Sequence, residues 1–221
     1  MTTLASTAVV ALLDRLFAAD EASRAGLGLA FADVTPEQRA ALMSSKTGYL
    51  ELYGRMKDAP LSVSRESGRL LYMLARSTGA RSIVEFGTSF AVSTIHLAAA
   101  LRDNGGGRLI TSEFETSKIA QARANLAESG LSDLVELREG DALQTLARDL
   151  PQRIDLVLLD GAKGLYPEIL SLLEGHLKLG AFILADNAEH SPEYLARVRQ
   201  PANGYLSTPF GNDVELSQRI G

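Results

Sequence analysis

From Arg81 onward the chain alternates short apolar runs with amphipathic helical stretches, and this alternation restricts the fold more than any other feature. The apolar runs are SIVEF (82–86), RLITS (108–112), LVELRE (134–139), IDLVLLD (154–160) and AFILAD (181–186). Helical stretches fall near 91–102, 116–129, 142–149 and 166–178. Strands joined through helices run parallel, so the pattern predicts an α/β domain built on a parallel sheet. After AFILAD the alternation stops. The segment 203–220, NGYLSTPFGNDVELSQRI, reads as two strands around a turn at Gly211-Asn212, closing the sheet with an antiparallel edge.

The first sixty residues read as helical. Thr35 is placed as an N-cap, with Pro36 at the first helical position, Gln38 completing a capping box and Pro60 ending the stretch. A further helix starts near Ser64 and stops at LARSTG, where Gly79 takes the left-handed cap. The division expected is a helical appendage over 1–60 and one domain over 61–221, since 221 residues at 46% hydrophobic close one sizeable core.

A net charge of -5, with no cluster of Lys or Arg, offers no field for nucleic acid. The absence of cysteine excludes disulfides, thiolate metal sites and cysteine nucleophiles, and suits a cytoplasmic protein. The opening segment MTTLASTAVVALLDRLFAAD lacks a basic leader and carries Asp14 and Arg15 at its centre. No stretch reaches the roughly 20 apolar residues that span a bilayer. Neither a secretory leader nor a membrane partner is expected, and the segment reads as an amphipathic helix.

In open α/β sheets ligands sit outside the carboxyl ends of the strands, near the reversal of strand order. Strand one ends in VEFGTSFAVST, with Glu85, Gly87, Ser89 and Ser93. A dinucleotide fingerprint would place glycine where Ser89 and Val92 stand, which weakens an NAD reading. Glu113 closes strand two, where a carboxylate can accept from both ribose hydroxyls or simply favour the next helix. Asp141, after Gly140, faces an adenine amine or caps a helix, and Ala142 offers it a backbone N–H. Asp160, Asp186 and Asn187 end neighbouring strands and offer only oxygen, a set that favours Mg²⁺. The competing reading of Asp186-Asn187 is turn chemistry.

The pattern D-x-x-K-x-x-Y (Asp160, Lys163, Tyr166) followed by D-N (Asp186, Asn187), with E-x-G (Glu85, Gly87), Ser93 and Glu113, resembles the class I S-adenosylmethionine-dependent O-methyltransferases of the catechol and caffeoyl-CoA type. The resemblance runs from about Leu61 to Glu215. It implies a Rossmann-like fold with a seven-stranded, mostly parallel sheet, helices on both faces, and N-terminal helices that form a lid or a dimer contact. It implies Mg²⁺ or another divalent cation on Asp160, Asp186 and Asn187, with Lys163 as general base. It further implies Glu113 on the ribose, and Val63, Glu85, Gly87, Ser89 and Ser93 at the methionine end of S-adenosylmethionine. Asp141 and Ala142 fall near the adenine, and Asp160 adjoins both cofactor and metal. The acceptor implied is a small catechol-like phenol, and the assembly a homodimer. Two departures stand out: Ala91 occupies a position that is usually glycine, and AEHSPEYLARVRQ after Asn187 does not match the acceptor loop of plant or mammalian members.

Four readings compete: the metal-dependent O-methyltransferase, a metal-independent methyltransferase of the same fold in which Asp160 and Asp186 bind the acceptor, an NAD(P)-dependent oxidoreductase using Glu113 for ribose, and a non-catalytic binding or assembly protein, against which Asp160, Lys163, Asp186 and Asn187 together argue. Among the histidines, His96 reads as packed, His176 as a helix-end residue, and His190 as a candidate acceptor contact. Tyr166 reads equally as an acceptor wall or a helix-start aromatic.

Overall fold

In the computed structural model, which describes residues 2–211 and 213–221, seven strands form one sheet. They are β1 (Ser82–Phe86), β2 (Arg108–Glu113), β3 (Val135–Glu139), β4 (Ile154–Leu159), β5 (Leu177–Asp186), β6 (Tyr205–Phe210) and β7 (Val214–Arg219). Their order is β3-β2-β1-β4-β5-β7-β6, with β7 antiparallel to both neighbours and the other pairs parallel. Strand order reverses between β1 and β4, so a crevice opens there at the carboxyl ends of these strands.

Helices α1 (Thr7–Ala30), α2 (Pro36–Met43), α3 (Tyr49–Arg55) and α4 (Arg65–Ser77) precede the sheet, and α5 (Val92–Asp103), α6 (Thr116–Ser129), α7 (Ala142–Thr145), α8 (Tyr166–Leu173) and α9 (Pro192–Val198) are interleaved with it. The two-residue period of the strands divides the core. Ile83, Leu109, Leu156 and Leu158 face a cluster with α4, α5 and α6, while Val84, Ile110, Val157 and Leu159 face α7, α8 and α9. Val9, Leu12, Leu13 and Leu16 of α1 are buried in the first of these clusters, against the domain's own core.

The Thr35 capping box, Pro36 at the helix start and the left-handed Gly79 are present as the sequence indicates. Three helical segments differ. The stretch from Thr35 to Pro60 is two helices, because the Ser45 hydroxyl accepts from the backbone N–H of Thr47 (3.2 Å) and Gly48 (2.8 Å), replacing the helical ladder with a local turn. Helix α7 ends at Thr145 rather than near 149: the Arg138 guanidinium donates to the carbonyls of Thr145, Arg148 and Asp149. Helix α8 ends at Leu173 rather than 178, because Leu177 already pairs with Ile154 and a register irregularity carries the longer β5 past Gly180 (φ 83°). At the β6–β7 connection Gly211 is left-handed (φ 67°), and Asn212 lies outside the described residues.

The α2–α3 segment covers the crevice. The Tyr53 hydroxyl donates to the Gly161 carbonyl at 2.9 Å, and a Cβ on Gly164 would lie 2.7 Å from the carbonyl oxygens of both Ser44 and Ser45. Those oxygens are backbone and cannot swing aside. Gly164→Ala is therefore expected to cost about 1–3 kcal/mol by overpacking, seen as a fall of several degrees in Tm. An unchanged Tm would contradict so close a contact.

Candidate active site

The crevice has a volume of about 320 Å³, within the range of small-molecule sites. Its floor depends on glycine: a Cβ on Gly87 (φ 103°) would lie 2.7 Å from the backbone of Asp160, whose N–H donates to the Phe86 carbonyl at 2.8 Å. Only glycine lets the ends of β1 and β4 meet so closely. Ser89 (φ 46°) and Ala91 (φ 67°) continue the turn in the left-handed region. The usual glycine at position 91 thus has a backbone reason, and alanine bears some strain there.

Val63, Gly87, Ser89, Ser93, Glu113, Asp141, Ala142, Asp160, Lys163, Asp186 and Asn187 all line this one crevice. The Glu113 carboxylate accepts from the backbone N–H of Ser89 (2.8 Å), Phe114 (2.9 Å) and Glu115 (3.0 Å), tying the β1 turn to the end of β2. Asp141 caps α7 by accepting from Leu143 N–H at 2.9 Å, and it also lines the crevice.

Glu85 is the exception. It is fully buried beneath the crevice, accepting from the hydroxyls of Ser93 and Thr94, each at 2.6 Å. Burial pushes its carboxyl from the ordinary 4.5 up to about 7, partly offset by the hydroxyls of Ser93, Thr111 and Thr94. Because the folded value exceeds the unfolded one, Glu85's contribution to stability is complete below pH 4.5 and is lost as pH rises through 7. The loss is on the order of 3 kcal/mol. Glu85→Gln should therefore gain Tm relative to the parent between pH 5 and pH 8 in thermal melts. A Tm difference independent of pH would show that burial does not govern this carboxyl.

The charged cluster sits at the ends of β4 and β5. Lys163 is 3% exposed, with its Nζ 2.8 Å from Asp160 Oδ1 and 3.7 Å from Asp186 Oδ2. Burial acts against the Lys163 charge, but Asp160 first, then Tyr166, Tyr53 and Asp186, outweigh it and hold the ammonium well above the ordinary lysine value. Burial and then the neighbouring Asp160 push Asp186 up to about 7, with Lys163 opposing. Two carboxylates thus share one ammonium. Tyr166 does not line the crevice: its hydroxyl lies 2.7 Å from the Leu159 carbonyl and 2.8 Å from that of Asp186, clamping the two strand ends that carry the aspartates. Among the described residues no group of three or more His, Cys, Asp and Glu is placed to hold a metal.

None of the crevice-lining residues is a histidine. His96 is buried with Nδ1 2.8 Å from the Val92 carbonyl, His176 Nδ1 lies 2.8 Å from that of Pro151, and His190 Nε2 is 3.7 Å from Glu189. Sequence reasoning missed Tyr49, Tyr53, Phe114 and Lys118, all of which line the crevice. Tyr49 and Tyr53, one helical turn apart, set their ring edges on Phe114 at 5.9 and 6.4 Å. Burial pushes the Tyr53 phenol up to about 12, so it remains a neutral donor. Their i, i+4 spacing was the available signal. For Lys118 the signal was a cation in the first turn of α6, where the helix dipole disfavours it.

A family described as a methyltransferase domain matches residues 84–188. A catechol O-methyltransferase from Niastella koreensis is 31% identical over 73% of this chain and 77% of its own length. Another, from Mycobacterium tuberculosis, is 34% identical over 58% of this chain and 57% of its own. The crystal structure of the O-methyltransferase TomG from Streptomyces achromogenes, involved in tomaymycin synthesis and solved with S-adenosylmethionine, superposes with a TM-score of 0.66 at 27% identity. It covers 89% of this chain and 96% of its own.

Proposed function

The chain belongs to the class I S-adenosylmethionine-dependent O-methyltransferases of the catechol and caffeoyl-CoA type, and from that premise we propose that it methylates one hydroxyl of a small vicinal-dihydroxy aromatic with the help of a divalent cation. The observation that carries the reading is the pair Asp160 and Asp186 sharing Lys163 at the switch point of the sheet.

In this reading Glu113 binds the ribose, with the one lone pair left free on Oε2 by its three N–H partners accepting from a ribose hydroxyl. Val63, Gly87, Ser89 and Ser93 shape the methionine end, and Asp141 and Ala142 lie at the adenine. Glu85 acts on the cofactor through Ser93, whose hydroxyl it orients. Asp160, Asp186 and Asn187 form a hard-oxygen set suited to Mg²⁺, with two carboxylates facing a single ammonium. A bound cation would fix two adjacent acceptor oxygens and stabilise the phenolate. Lys163 then takes the acceptor's hydroxyl proton on Nζ while that oxygen bonds to the methyl carbon and the carbon–sulfur bond breaks, leaving S-adenosylhomocysteine. Such a base must be neutral on arrival, which requires Asp160 and Asp186 to direct their charge elsewhere than at Nζ. Tyr49 and Tyr53 of the covering helices supply flat apolar walls suited to an aromatic guest.

We extend the proposal to a cytoplasmic homodimer whose α2–α3 segment is the lid. The absence of cysteine supports this setting, and among the described residues no helix is long and apolar enough to cross a membrane. The Tyr53–Gly161 contact supports the lid. One observation favours the metal-independent reading: Lys163 alone partly neutralises the two aspartates.

Calorimetry with S-adenosylhomocysteine and with NAD, paired with mass spectrometry of catechol incubated with S-adenosylmethionine, tests the proposal. Binding of S-adenosylhomocysteine but not NAD, and a product one methyl heavier, are expected. Binding of NAD alone would transfer the site to the oxidoreductase class.

A further inference from the structure

Lys118 is unlike every other lysine described in the chain except Lys163, because it is almost fully buried, at 3% exposure. Three physical costs meet on it. Its ammonium is removed from water. It occupies the third position of α6, where the helix dipole repels a cation. Its one described hydrogen bond is to a neutral group, the Ser89 hydroxyl at 3.1 Å, and among the described residues no carboxylate oxygen lies within 4.0 Å.

Burial accordingly draws its pKa below the ordinary lysine value, although Glu113, Asp160, Glu115 and Asp20 act from farther off to raise it. Lys163, by contrast, is buried with an aspartate at 2.8 Å. Lys118 also faces the crevice rather than the hydrophobic core, and it lines the wall that Ser89 and Pro60 share: the Ser89 hydroxyl donates to the Pro60 carbonyl and accepts from Lys118. A buried cation with only a hydroxyl partner, aimed into a ligand cavity, is an anion-binding group awaiting its counter-ion.

We propose that Lys118 pairs with the α-carboxylate of the methionyl part of S-adenosylmethionine, making it a cofactor-binding residue of this chain. The inference rests on the methyltransferase reading above, which puts Ser89 at the methionine end and Glu113 at the ribose. The carboxylate is the cofactor's only anion, and Lys118 lies on the Ser89 side of the crevice.

The test compares two ligands that share adenine, ribose and sulfur. S-adenosylhomocysteine carries the carboxylate, whereas 5′-methylthioadenosine lacks it. Calorimetry on the full chain and on Lys118→Met should show affinity for S-adenosylhomocysteine falling at least about 30-fold, as for a buried charge pair that loses one partner. Affinity for 5′-methylthioadenosine should stay within about threefold. The ligand-free variant should melt at or above the parent's Tm, since an under-partnered buried charge has been removed. If Lys118→Met does not fold, Lys118→Gln carries the same comparison.

Equal losses for both ligands would overturn the proposal in favour of a ribose contact or a structural role, and no loss for either would overturn it outright. Failure of the parent to bind S-adenosylhomocysteine would instead overturn the methyltransferase reading, and this inference with it.

Discussion

Replacing Lys163 with Met lowers kcat for methyl transfer by about 10²–10⁴, the range for a lost general base. Affinity for S-adenosylhomocysteine should be nearly unchanged, because the groups proposed for ribose and methionine lie just before α4, at the ends of β1 and β2, and in the turns and first turns of α5 and α6 that follow them. Methionine keeps an unbranched side chain, one atom shorter, that still packs by the Tyr166 ring, where Nζ now sits 5.5 Å from the centroid. A second readout separates chemistry from structure. With the ammonium gone, Asp160 and Asp186 repel without relief, so added Mg²⁺ should raise the Tm of Lys163→Met more than that of the parent. Unchanged turnover would refute the base assignment. Lost turnover with equally lost cofactor affinity would show that Lys163 holds the site together rather than moving a proton.

Asp186→Asn should reduce turnover by at least about 10²-fold and abolish the effect of Mg²⁺ on Tm. The change keeps the shape of the side chain but removes one of two charges that a hard cation needs. A ligand at about 100 times its Kd stabilises a fold by about 2.7 kcal/mol, a shift large enough to read in a melt. Without cation, the variant should be at least as stable as the parent, since the Asp186 side chain is only 14% exposed and is crowded by Asp160. A variant that still responds fully to Mg²⁺ would remove Asp186 from the donor set.

The parts of this architecture that a sequence displays are those governed by local periodicity. Val157 and Leu159 alternate with Leu156 and Leu158 across two apolar faces, so β4 reads as a central strand from its composition alone. Thr35 with Gln38, and Gly79 after α4, mark helix ends through short-range hydrogen bonds and backbone sign. Polar residues at strand ends were legible because apolar runs make them conspicuous, and Gly87, Glu113, Asp141, Asp160, Asp186 and Asn187 line one crevice, whereas Glu85, Tyr166 and His190 do not. Glu85 was misplaced by one step: it stands on β1, but its side chain points beneath the floor, and a period of two does not reveal which face holds the ligand.

What escaped was decided by distant partners. The end of α7 depends on Arg138 reaching three carbonyls, and the start of β5 on pairing with Ile154. Lys118 on an amphipathic helix reads as a solvated lysine until the β1 turn is seen to close over it. Tyr166, undecided between two roles, proved to be a clamp because two carbonyls 27 residues apart in sequence meet at its hydroxyl.

The most direct test of the central claim is methyl transfer from S-adenosylmethionine to catechol, measured by product mass in the purified full chain with EDTA and then with excess Mg²⁺. The expected result is loss of product formation in EDTA and its return with Mg²⁺, both dependent on Asp160 and Asp186. Product formation that continues undiminished in EDTA would contradict the cation's role and leave the two aspartates as direct binders of the acceptor.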